Sequence, residues 1–214
     1  MFEARSPIPT RALVPEVRRI AILVREMSGG GAQRDAVLLA GAMAARGWHV
    51  SILTLKAQGE LLKLVAPGVE VVALASTNLR TALPSFRRAF SQLGPRDVVL
   101  SSEVAQNVIA FLAHTSLARA TRPKLLLREV ASPSMAKALD PYLQHRFAYR
   151  LAGMAYSRCD RSLTLTQGAR TDLINNFGVP AAKIDVLRAN AVIDSPTALR
   201  LGRANLEAPG FRDR

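Results

Sequence analysis

Ser28-Gly29-Gly30-Gly31-Ala32-Gln33-Arg34 is the stretch of this chain best suited to chemistry. It follows an apolar run, Ile20 to Val24, and opens an alanine- and leucine-rich helical pattern that reaches Arg46. A strand, a glycine turn and a helix start, in that order, form a cradle for a phosphate or a sugar. The helix offers unpaired N–H groups and the positive end of its dipole, and glycines let a ligand approach where a Cβ would collide. Three familiar phosphate-binding patterns fit poorly. In the dinucleotide fingerprint Gly29 and Gly31 match, but Arg34 stands at the third glycine position and the second strand ends Thr54-Leu55-Lys56 without the ribose-binding acid, so a nicotinamide-dependent oxidoreductase is disfavoured. No Gly-Lys-Ser/Thr opens the helix, as a P-loop requires, and Ser28 lacks the glycine frame of a nucleophile elbow.

The elements that must position this loop read clearly. Strands are expected at Arg19–Arg25, His49–Leu55, Val69–Leu74, Asp97–Ser101, Lys124–Arg128, Arg161–Thr166 and Ile184–Arg188. Helices are expected at Ala32–Arg46, Gly59–Val65, Leu83–Leu93, Val104–Ala120, Leu139–Ser157 and Gln167–Phe177. Several strands are continuous apolar runs, the mark of a sheet covered on both sides. Strand and helix in alternation imply a doubly wound α/β fold, a mostly parallel sheet of about seven strands with helices on both faces. Arg46-Gly47, Pro67-Gly68, Gly94-Pro95 and Gly178-Val179-Pro180 punctuate it. We expect a flexible arm over residues 1–17, one domain over 18–194, and a linker-like tail over 195–214.

Composition narrows the class. With 214 residues and 49% apolar content the chain can bury a sizeable core, an aliphatic one because aromatics are only 5%. The single Cys159 rules out a disulfide framework and reads as a small buried hydrophobe; with His49, His114 and His145, all read as structural, it makes no metal-ligand cluster. Met1 to Arg19 carries Pro7, Pro9 and Pro15 and no apolar signal core, and no stretch is apolar enough to span a bilayer, so the expected location is cytoplasmic. The net charge is +13, and from Arg119 to Arg170 ten Lys or Arg face three acids. Such a surface attracts phosphate, on a nucleotide or on anionic lipid. Nucleic acid is disfavoured, because aromatic interleaving and a reading module are both missing.

Three motifs carry a resemblance. The first is Gly30-Gly31-Ala32-Gln33-Arg34 with Ala44-Ala45-Arg46-Gly47-Trp48-His49-Val50 after it. The second is Leu125-Leu126-Leu127-Arg128-Glu129. The third is Asp160-Arg161-Ser162-Leu163-Thr164-Leu165-Thr166-Gln167-Gly168, followed by Phe177-Gly178-Val179-Pro180, Lys183-Ile184 and Asn190. In this order and spacing, over residues 18 to 194, they resemble the N-terminal domain of family 4 glycosyltransferases, enzymes of the GT-B fold. The resemblance implies a Rossmann-like domain on the acceptor side of a retaining enzyme that moves a sugar from a nucleotide-sugar to a glycan or lipid-linked acceptor, without a metal or other cofactor. In that family the nucleotide-sugar is held mainly by a C-terminal domain, which would begin near Arg214; Asn205 to Phe211 looks like the linker to it. These residues alone are therefore expected to transfer little or no sugar, and to need a separate donor domain. The alternative is a non-catalytic module that binds a sugar or phosphate, or the remnant of a truncated gene.

Ligands of doubly wound sheets bind outside the carboxyl ends of the strands, which nominates residues. Gly29, Gly30 and Gly31, with Gln33 and Arg34 in the first helical turn, would line the substrate site. Arg128 and Glu129 should emerge at the cleft rim, Arg128 to bind substrate and Glu129 to orient the acceptor hydroxyl or take its proton. Thr166, Gln167 and Asn190 are further lining candidates. Ser101-Ser102-Glu103 follows the fourth strand where many relatives have a histidine, a departure from the family pattern. Leu139–Arg158 reads as an amphipathic helix bearing His145, Arg146 and Arg150, a basic face suited to the inner surface of a membrane.

Overall fold

A computed structural model describes residues 19–76, 78–139 and 145–187. The expected arm at 1–17, the tail at 195–214 and Asn190 lie outside the described residues. Seven strands form one sheet: β1 (Arg19–Glu26), β2 (His49–Lys56), β3 (Val69–Ala73), β4 (Val98–Ser102), β5 (Lys124–Glu129), β6 (Arg161–Thr164) and β7 (Ile184–Val186). Their order is β3-β2-β1-β4-β5-β6-β7, and every neighbouring pair is parallel. The chain winds outward from β1 in one direction, then returns to its other side at β4. The carboxyl ends of β1 and β4 thus flank the point where strand order reverses, the place where such sheets bind ligands.

Among the described residues six helices, α1 (Gly31–Ala44), α2 (Leu83–Phe90), α3 (Val104–Thr115), α4 (Pro133–Leu139), α5 (His145–Arg158) and α6 (Gln167–Phe177), accompany the strands. Strand alternation splits the core in two. Ile20, Ile22 and Val24 of β1 join Val50, Ile52 and Leu100 against Ala36, Val37 and Ala40 of α1. Ala21 and Leu23 face the other way, with Leu53, Val99, Leu125 and Leu127, against Phe86, Phe90, Val108, Phe111, Ala152, Tyr156 and Leu173 from α2, α3, α5 and α6.

The expected strands all form, with ends shifted by one or two residues. Several helical expectations change: the helix expected to run to Leu93 ends at Phe90, and the one expected to run to Ala120 ends at Thr115. The pattern after Gly59 tightens into a 3-10 turn, Glu60–Leu64. The helix expected over Leu139–Ser157 is α5 in its described part, His145–Arg158, and a helix that was not expected, α4, precedes it at Pro133–Leu139. Pro133 suits a helix start, where its missing N–H is not needed. The α4 start is also tied to α6: Asp172 Oδ2 accepts from the Ser132 hydroxyl at 2.7 Å and from Ser134 N at 2.9 Å. Burial pushes the Asp172 carboxyl up, but these bonds and that from Asn176 outweigh it and hold it below the ordinary range. At α6, Thr166 caps the start by accepting from Ala169 N at 3.1 Å, and Gly178 ends the helix in the left-handed region.

Candidate functional site

The site is built where β1, β4 and β5 end. After β1, Gly29 and Gly30 take φ of 147° and 113°, and α1 begins at Gly31 with no side-chain cap and no acid in its first turn. The positive end of its dipole therefore lies uncompensated beside the end of β1. Gly30, Gly31 and Arg34 are exposed, Gly29 and Gln33 half-buried. The Gln33 side chain folds back over Gly30, so that a Cβ there would strike its Oε1. Behind the loop stands Gly59, at φ 131°, against which the backbone of Met27 and Ser28 is pressed; Leu61 N also donates to Met27 O at 2.9 Å. Gly59 escaped the sequence reading because nothing local marks a contact across more than thirty residues.

At the end of β5 the two charged residues part company. Leu125, Leu127 and Glu129 share one side of the strand; Leu126 and Arg128 share the other. Both charged side chains are buried, each residue 3% exposed, and do not stand at a rim as expected. Arg128 points to the α1 side, where Nε donates to Ser102 Oγ at 3.0 Å and Nη1 donates to the Asp35 carboxylate on α1. Its Nη2 has no partner among the described residues. Glu129 points into the helix layer. Its Oε1 accepts from the Tyr156 hydroxyl and, at 3.0 Å, from Asn107 Nδ2, which also donates to Arg128 O at 2.9 Å. Burial pushes the Glu129 carboxyl up to about 8, against the pull of the Tyr156 and Asn107 hydrogen bonds. The Tyr156 phenol is pushed up by its own burial and by the neighbouring carboxylate. Glu129 is thus largely protonated at neutral pH and shut away from solvent.

At the end of β4 stands Glu103, with φ of 74°, the sole non-glycine residue in the left-handed region among those described. It is half-buried, and its backbone is held at both ends: its N donates to Arg128 O at 3.3 Å and its O accepts from Asn107 N at 2.8 Å.

The remaining candidates lie further round. Thr166 and Gln167 are exposed at the start of α6, and the Thr166 hydroxyl is engaged as a cap. The histidines diverge: His49 is exposed at the start of β2, while His114 is buried with Nε2 2.9 Å from Pro123 O, and burial lowers its pKa. Among the described residues no group of three His, Cys, Asp or Glu gathers as a metal site, and no helix is long and apolar enough to cross a membrane. A cavity of about 330 Å³ beside Arg19, His49, Glu70 and Gln92 opens at the opposite, amino ends of the strands. The strand-end rule directs ligands away from it, and the Arg19–Asp97 ion pair at 2.7 Å braces its wall.

The comparisons agree with this fold. The profile of the glycosyl transferase 4-like domain matches residues 30–190. The fold is similar to the crystal structure of WaaG, described as a glycosyltransferase involved in lipopolysaccharide biosynthesis, with a TM-score of 0.52 and 18% identity over 78% of this chain. The match spans 44% of the WaaG chain. No curated protein matches by sequence. With the profile running from the glycine loop past the last strand, the chain belongs to the glycosyl transferase 4-like domain family.

Proposed function

We propose that this domain is the acceptor side of a retaining glycosyltransferase, which receives a glycan or lipid-linked acceptor and works opposite a domain that holds a nucleotide-sugar. The observation that carries this reading is the uncapped start of α1 behind Gly29 and Gly30, at the reversal of strand order, in a chain of this family. In-line positioning of donor and acceptor supplies much of the rate in a two-substrate transfer, and the leaving pyrophosphate needs preorganised positive charge. The α1 dipole, Gly29 to Gly31 and the exposed Arg34 supply one wall of such a field, with Gln33, Thr166 and Gln167 as further lining. Arg128 stiffens that wall through Asp35. Direct proton transfer by Glu129 would require its Tyr156 and Asn107 contacts to open.

The opposing wall would come from a second domain, in the same polypeptide or another. The test is a time course with labelled nucleotide-sugars, on these 214 residues alone and with a family 4 donor domain added. Turnover only in the second arm is expected; robust turnover by the chain alone would overturn the division of labour. We also place this domain at an anionic membrane surface. Phe147 and Met135 are each 65% exposed on α5 and α4, with exposed Lys137 and Arg150 on the same two helices.

A further inference from the structure

We infer that Glu103 is a specificity-determining residue of the cleft, whose carboxylate accepts a hydrogen bond from a single hydroxyl of the bound sugar. The inference rests on the sugar-transfer reading above and assigns a role to a residue that reading leaves unused.

Its backbone and its side chain point the same way. A non-glycine residue at φ 74° is strained, and such strain persists where surrounding structure enforces it, commonly at binding sites. The strain is not explained by helix capping. Glu103 occupies the residue before α3, yet its side chain makes no cap hydrogen bond, and glutamate is not among the residues that cap well. Nor is it explained by pairing, since the carboxylate forms no hydrogen bond or ion pair with the described residues. Its partial burial raises its pKa, with Arg25 opposing and Glu26 reinforcing the shift.

Instead Glu103 lines a crevice at the reversal point, together with Arg25 at the end of β1, Ala32 and Gln33 in the first turn of α1, and Gln106. Gln106 is 3% exposed; its Nε2 is spent on Leu23 O at 3.1 Å and Ser102 O at 3.3 Å, while its Oε1 has no partner among the described residues. The Glu103 carboxylate is thus a charged acceptor lining this space, while the unpartnered Gln106 Oε1 is itself buried. The volume of the crevice, about 10 Å³, holds one water-sized group. A phosphate or a sugar ring is too large, and a hydroxyl of a ring lying across the cleft mouth fits. Reading a hydroxyl with a buried acceptor discriminates strongly against the analogue that lacks it.

The test is binding, by saturation-transfer NMR on the full chain, of the methyl α-glycosides of glucose, mannose, galactose and N-acetylglucosamine and of their monodeoxy analogues. In wild type, removal of one particular hydroxyl should weaken binding about 10- to 100-fold, as expected for a hydrogen bond to a charged group. In Glu103→Gly the parent glycoside should weaken by a similar factor, and the same deoxygenation should then have little effect; Glu103→Gln, which keeps a neutral acceptor oxygen, should fall between wild type and Glu103→Gly. Glu103→Gly relieves the backbone and should keep or raise Tm, so lost affinity cannot be ascribed to unfolding. Equal deoxygenation penalties in wild type and both variants would overturn the inference, leaving a water-filled crevice and the sugar reading intact. Failure of the folded wild type to bind any glycoside would overturn both.

Discussion

The guanidinium of Arg128, at the end of β5, reaches past Ser102 of β4 to the Asp35 carboxylate on α1, joining elements 93 residues apart in sequence. The ion pair ties the helix that follows the glycine loop to the centre of the sheet. It is asymmetric: the Arg128 side chain is 3% exposed and that of Asp35 16%.

That asymmetry orders two substitutions. Asp35→Ala strands a buried guanidinium, which already has one unpartnered nitrogen, and should destabilise by about 3–5 kcal/mol. Arg128→Met leaves a carboxylate that water can reach, with an apolar chain filling most of the space, and should cost less. Urea unfolding of both variants checks the order; equal losses would show that the pair does not act as a buried one.

Glu129 makes stability depend on pH. Its folded pKa, about 8, lies above the ordinary value of 4.5, so between those limits the folded state binds the extra proton. The contribution is full below about pH 4.5 and is lost as pH rises through about 8. Tm should therefore fall across this window in wild type. Glu129→Gln imitates the protonated acid and should flatten the profile; an unchanged slope in the variant would assign the pH dependence elsewhere.

Gly59 should control the glycine loop from outside it. A Cβ there would meet backbone atoms of Met27 and Ser28, and φ is 131°, so Gly59→Ala should destabilise by about 1–3 kcal/mol and displace the loop. Amide shifts at Gly29 to Gly31 report the displacement. Gly68→Ala is the control: φ is 83° but no atom lies within 4 Å of the added Cβ, so those amides should not move.

The membrane proposal turns on charge. Co-flotation with vesicles containing anionic lipid is expected, at about 1 kcal/mol for each basic residue near the surface, and should drop in Lys137→Glu with Arg150→Glu. Equal recovery with neutral and anionic vesicles would remove the idea.

Much of this was legible in order along the chain. Seven apolar segments, glycine turns and the alternation of periods determined a doubly wound parallel sheet, and the three motifs placed it in its family. The helix start at Pro133 was missed because part of its support is the Asp172 carboxylate, nearly forty residues downstream. The parity of β5 was also readable in principle: Glu129 continues the Leu125–Leu127 side, so its carboxyl must follow those leucines into the helix layer.

What sequence alone determined is the presence of the glycine loop and of charged residues at strand ends, because backbone periodicity and turn chemistry are local. Only the tertiary structure decided which charges face the cleft. That depends on which helix covers each side of a strand end, and the connections crossing the sheet set this. Tyr156 and Asn107 enclose Glu129, Asp35 takes Arg128, and the strained Glu103 lines the crevice at the end of β4.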